Sequence, residues 1–278
     1  MIRHFLMKLL RSAAQRRLVE AVDPSARLAA ANADYRDVSL AVVATRRDAV
    51  EPLCERLEGA VATAGAGFEL RLGKLIGQRT VVAVDDRECV ADATSSVILA
   101  HQPALVVAVG LATALVKQLS RGDLVLAESF VAQGEEVVRI DLRPNTQNSV
   151  HVGRLLSITA LPKAAKSRLE MADEFGVLAA DSSAYGVARA CRELQCPMMA
   201  AHVVTMEVDD QRPADVEHML EQRSWAGRAG ALLGGVTRRP GAATDLWNRQ
   251  QQLWQAGERL AEVVVQLLPA SPSSKSSA

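Results

Sequence analysis

From Val38 onward the chain alternates short runs of β-branched residues with segments of helical periodicity, and this alternation constrains its fold more than any other feature. Strands interleaved with helices bury their apolar faces by stacking in layers, with a sheet between helices. VSLAVVA over 38–44 is expected as a buried strand and 46–58 as the helix after it. FELRL and TVVAV follow as strands, 90–101 as a helix, and ALVVAV over 104–109 as the most deeply buried strand. LVLAE, EVVRI and LLSITA read as further strands, followed by a helix beginning near Pro162 and a short strand VLAA over 177–180. A helix over 183–194 and a core strand PMMAAHVVT over 197–205 come next, and the rest reads as helical. The last helix sets Leu246, Leu253, Leu260, Val264 and Leu268 on one stripe, after a break at Arg238-Arg239-Pro240-Gly241. The expected class is α/β, a three-layer α/β/α arrangement with a central mixed sheet.

The two ends differ from this core in composition. Residues 1–37 form an expected basic amphipathic helix and linker: Ile2, Phe5, Leu6, Leu9, Leu10 and Ala13 share one stripe, with Arg3, Lys8, Arg11, Arg16 and Arg17 around it. Packing of residues 2–20 on a partner subunit or on its own domain is the reading adopted. The alternative is peripheral membrane contact, with cations on anionic lipid and the stripe in the interface. Lys8 and Arg11 interrupt the apolar region and argue against a cleaved secretory signal. Residues 38–268 are expected as one domain, and 269–278, ending PASPSSKSSA, as a disordered tail.

Composition excludes several function classes. Lys+Arg and Asp+Glu both total 32 and only 3% of residues are aromatic, which argues against nucleic acid as a partner: there is neither a basic field nor a set of stacking platforms. Cys54, Cys89, Cys191 and Cys196 form no CxxC pair and lie near no histidine at ligand spacing, so no metal and no cofactor is expected. They read as reduced, mostly buried thiols, in keeping with a cytoplasmic location, with a redox pair at Cys191 and Cys196 as the alternative. No apolar run reaches the length a bilayer demands.

Three segments carry a family likeness. PALVVAVGLATALVKQLSRGDLVLAE sets Gly110 after a buried strand and Gly122-Asp123 at the opening of the next one. GVLAADSSAYGVARACRELQCPMMAAHVV joins a short strand, Asp181, a helix and a core strand, and VSLAVVATRRDAVEPL places Asp48 after the first strand. Together these resemble the nucleoside phosphorylase/nucleosidase superfamily over about residues 38–268. RRPGAATDLWNRQQQLWQAGERLAEVVVQLL and LSITALPKAAKSRL add a likeness to its hopanoid-associated phosphorylase branch, and the methylthioadenosine/S-adenosylhomocysteine nucleosidases are the other close flavour. The resemblance implies a nucleoside-like small molecule as ligand, bound where the strands end around Gly110, Leu111, Ala112, Leu161, Asp181, Ser182, Ser183, Thr205 and Met206. It also implies a homo-oligomer. In open α/β sheets ligands lie at the carboxyl ends of strands, where a glycine permits a tight turn.

Cleaving an N-glycosidic bond builds positive charge on the ribose and negative charge on the base, so the site needs a carboxylate for the sugar and an acid for the base. Where the resemblance implies the family's sugar-binding Glu the chain reads Asp181-Ser182-Ser183-Ala184, and where it implies the acid facing the base the chain reads Thr205-Met206. A serine binds a hydroxyl but does not offset an oxocarbenium-like charge. Asp85-Asp86-Arg87-Glu88 stands where phosphate-using members carry glycine, which opposes phosphorolysis. Ala112, Thr113 and Ala114 narrow the space after Gly110, and Leu161 replaces a stacking ring. The preferred expectation is therefore a nucleoside-binding member with cleavage weak or lost.

An active N-glycosyl hydrolase on a purine nucleoside, lipid-linked in one version, is the second reading. There Asp48 orients water and Glu207 or Asp209 protonates the base, with a one-residue bulge bringing Glu207 inward. A structural or assembly module is the third. His202 reads as a structural histidine with general acid as the alternative, while His101, His151 and His218 have no partners at motif spacing.

Overall fold

Five apolar residues, Leu40–Ala44, form β1, and all five are buried because the strand has a neighbour on each side and helices on both faces. The computed structural model describes residues 35–64, 67–85, 90–140, 150–210 and 242–268. After β1 come α1 (Arg47–Glu55), β2 (Glu58–Ala64), β3 (Glu69–Leu75), β4 (Gln78–Val84), α2 (Val90–His101) and β5 (Val106–Ala114). Then follow β6 (Leu124–Ala132), β7 (Val138–Arg139), β8 (Val150–Ser157), α3 (Ala165–Phe175) and β9 (Ala179–Asp181). α4 (Ala184–Glu193), β10 (Met198–Met206) and α5 (Ala242–Leu267) complete the described order.

The expected class is what forms: a mixed sheet between helical layers. One apolar cluster joins Ala41, Val43 and Ala108 of the sheet to Val97 of α2 and Val187 of α4. The opposite cluster joins Leu40, Val42 and Val107 to Leu53 of α1 and Leu260 and Val264 of α5. Alternation of faces along β1 and β5 divides these residues between the two layers.

Two boundaries move. The expected helix over 46–58 stops at Glu55, since Glu58–Ala64 instead pairs antiparallel with β3 as an edge strand. The strand expected to end at Val109 continues through Gly110 to Ala114, so Gly110 is not a turn residue. Pairing decides this: β10 accompanies β5 from Val106 to Thr113, and the ladder holds the chain extended past the glycine.

The sheet also closes on itself. Beyond β1, β5 pairs antiparallel with β9, β9 pairs with β8, β8 with β6, and β6 with β10, which returns to β5. Thr113 is thereby flanked by Met206 on one side and Ala180 on the other. This five-strand ring removes free edges from that half of the sheet. The expected helix at 2–20, the tail at 269–278, the 86–88 turn, the 238–241 break, Cys89 and His218 lie outside the described residues.

Candidate functional site

The Gly-Asp pair between β5 and β6 has a conformational cause. Gly122 sits at φ +91, which an L side chain rarely adopts, and its N–H donates to the Val204 carbonyl at 2.8 Å. The Asp123 carboxylate accepts the Ser120 N–H at 2.7 Å and closes the turn, while its carbonyl accepts the Val204 N–H at 2.9 Å. From α5, Arg259 Nη1 donates to the Gly122 carbonyl at 2.6 Å. This motif stitches the β5–β6 turn to β10.

Asp181 ends β9 and is buried, with four partners. Ser157 Oγ donates to its Oδ1 at 2.5 Å, and the N–H groups of Ser183 and Ala184 donate to Oδ2 at 3.1 and 2.7 Å. Nε2 of His202 lies 3.6 Å from Oδ2, within ion-pair range and longer than a direct hydrogen bond. Burial opposes the charged carboxylate, but the His202 ring, the Ser157 hydroxyl and the Ala184 N–H outweigh it and hold Asp181 below its ordinary value. The residue therefore caps the first turn of α4 from two positions before the helix flank at Ser183, whose own hydroxyl makes no cap bond. Ser182 is exposed and Ser183 half-buried, their hydroxyls 3.4 Å apart.

The β5–β10 ladder brings the other expected residues alongside. His202 is opposite Gly110, Val204 is opposite Ala112, and Met206 is opposite Thr113. A register shift between Val204 and Met206 makes Thr205 the bulged residue, and its Oγ1 donates to the Ala112 carbonyl at 3.4 Å. Met206 is buried, and Leu161 packs half-buried on a cluster with Leu156 and Ala180. Ala112, Asp181, Ser182, Ser183, Thr205 and Met206 thus gather toward the ends of three adjacent strands, while Gly110 stays back in the middle of β5 beside His202. Leu111 does not join them; it packs on the opposite face with the α1 and α5 cluster.

The acids of the hydrolase reading lie elsewhere. Asp48 pairs with Arg46 at 2.6 Å at the start of α1. The bulge expected near Glu207 does occur, yet Glu207 Oε1 accepts the Arg121 N–H at 3.1 Å and Asp209 is exposed. Asp210 pairs with Arg121 at 2.7 Å. Glu207 and Asp210 are thus spent on the turn after β10. Two residues that sequence reasoning passed over also shape this region. Ser157 carried no signal because only the β8–β9 register sets it against Asp181. Arg168 of α3 is buried and donates to the carbonyls of Pro162, Val208 and Asp210 at 2.8, 3.2 and 2.8 Å.

Comparison with known folds settles the architecture. A 5′-methylthioadenosine/S-adenosylhomocysteine nucleosidase from Campylobacter jejuni matches with a TM-score of 0.62 at 12% identity, over 82% of this chain and 97% of its own. The chain has the nucleoside phosphorylase fold. A Neisseria meningitidis nucleosidase of the same kind, in complex with methylthio-immucillin-A, gives 0.58 at 18% identity over 82% of this chain and 99% of its own. Futalosine hydrolase of Helicobacter pylori strain 26695 gives 0.54 at 15% identity over 70% and 95%. No family model matches the sequence, and no curated protein matches it significantly. Within this fold the described residues include no His/Cys/Asp/Glu cluster fit for a metal ion and no helix long and apolar enough to cross a membrane. Cys54, Cys191 and Cys196 are free thiols. Burial, with Cys196 adding to it, pushes Cys191 up to about 12, so little reactive thiolate is present at neutral pH.

Proposed function

We propose that this protein binds a nucleoside-like small molecule at the ends of β5, β9 and β10, with N-glycosidic cleavage weak or lost. The observation that carries the reading is the commitment of Asp181. It is the retained carboxylate of the segment, and its oxygens are taken by Ser157, Ser183, Ala184 and His202 rather than left to meet a sugar. The groups beside it are hydroxyls at Ser182 and Ser183 and a buried thioether at Met206. Serine hydroxyls hold a ribose in its ground state, whereas catalysis needs contacts that strengthen as charge develops. The nucleosidases of similar fold support the ligand class, and 5′-methylthioadenosine is the natural first probe.

The test pairs binding with turnover. Calorimetric titration with 5′-methylthioadenosine is expected to show saturable binding, and prolonged incubation is expected to release no free adenine at a rate near the 1 s⁻¹ or more typical of enzymes, a scale taken as roughly the lower bound of ordinary turnover. Adenine release at an ordinary enzymatic rate overturns the loss of cleavage. Absence of binding to 5′-methylthioadenosine, adenosine and S-adenosylhomocysteine alike overturns the ligand class.

A further inference from the structure

We infer that His202 is a positioning residue that sets the ligand-facing Ser182-Ser183 segment through Asp181, and that Gly110 lacks a side chain to seat the histidine ring. This deepens the proposed function and rests on it for the ligand, though not for the structural coupling. His202 is buried in the middle of β10, a place where an imidazole among aliphatic residues is costly unless something uses it. Its Nδ1 has no hydrogen-bond partner, a penalty of about 1–3 kcal/mol for a buried polar atom. A leucine would fill the same volume without that penalty. The compensating contact is on the other edge of the ring, where Nε2 faces Asp181 Oδ2.

The space for this edge is made by Gly110. A Cβ built there would lie 2.6 Å from both Cδ2 and Nε2 of His202, closer than real Cβ contacts, and the ring is backed by Phe130 with centroids 5.9 Å apart. The imidazole thus sits between Gly110 and Phe130. Its effect passes to the ligand side by one route: Asp181 Oδ2 also accepts the Ser183 and Ala184 N–H groups, and Ser157 Oγ, bound to Oδ1, accepts the Tyr185 N–H at 2.8 Å. Three successive amides at the start of α4 thus hang on one carboxylate and its serine, and the hydroxyls of Ser182 and Ser183 emerge from that frame. Gly110, the most recognisable residue of the strand, serves the histidine rather than the ligand.

The test compares His202→Leu, which keeps volume, with His202→Gln, whose amide nitrogen reaches about as far as Nε2. In the full chain, amide exchange across 183–185 is expected to accelerate about tenfold or more in His202→Leu, with β1 and β5 amides unchanged, and to stay near wild type in His202→Gln. Affinity for 5′-methylthioadenosine is expected to fall about tenfold in the first and to be retained in the second. A uniform rise in exchange, wild-type exchange at 183–185 in His202→Leu, or equal behaviour of the two variants overturns the inference. Should His202→Leu not fold, Gly110→Ala reads the same coupling, since the added methyl displaces the ring; unchanged exchange at 183–185 there overturns it as well. Failure of the wild-type protein to bind any nucleoside sinks the proposed function and leaves the exchange result standing.

Discussion

At the scale of single residues the two histidines fully buried among the described residues have opposite fates. His202 is set against a carboxylate, whereas His101 ends α2 with Nδ1 2.8 Å from the Tyr35 carbonyl. Burial lowers the His101 pKa below its ordinary 6.5, opposed in part by the Tyr35 contact. The unfolded chain therefore takes up the proton first as pH falls, so stability is held above 6.5 and declines below it. A melting series from about pH 7.5 to about pH 5.5 is expected to show a smaller loss of Tm in His101→Asn, which keeps a donor near Tyr35 but does not titrate. An equal loss in both proteins would remove His101 as the cause. The proposed loss of cleavage is tested at the same scale. Ser183→Glu combined with Met206→Asp is expected to raise adenine release from 5′-methylthioadenosine by about a hundredfold or more above the wild-type background, the usual reach of a positioned acid–base group. No gain in a variant that still binds would place the obstacle elsewhere than in these two side chains.

At the scale of elements, α1 and α5 cross with their backbones in close approach at Gly257. A Cβ at Gly257 would lie 2.6 Å from the Asp48 carbonyl and 3.0 Å from Pro52 Cδ and Cγ. Alanine in place of glycine favours a helix by about 1 kcal/mol, but overpacking a backbone contact costs about 1–3 kcal/mol. The clash wins, so Gly257→Ala is expected to lower the urea midpoint; a raised midpoint would mean that the helices separate freely. Most elements are legible from pattern: 90–101 is a helix over the expected span, and the core strand over 197–205 shifts by one residue to Met198–Met206. β2 is not, because EGAVATA has neither strict alternation nor a β-branched run and is held by pairing with β3. β5 is misjudged at its end for a related reason: glycine marks a turn only where the backbone is free to turn, and β10 pairs across it.

For the molecule as a whole, equal totals of 32 basic and 32 acidic residues leave no long-range field for polyanions. Retention on single-stranded DNA at about 0.15 M salt is expected to be negligible, and a salt-dependent affinity would contradict the assignment of a small-molecule partner. The closed ring of β5, β9, β8, β6 and β10 is the feature on which the candidate site depends, because it brings Asp181, Thr113 and Met206 onto neighbouring strands.

The order of most strands and helices and the layered class are local properties, carried by periodicity and residue type, and the sequence by itself determined them. Which groups meet was decided only by the tertiary structure. Register across the ring set His202 opposite Gly110 and Ser157 opposite Asp181. Those pairings join residues far apart in the chain, and no local preference of either partner encodes the distance between them.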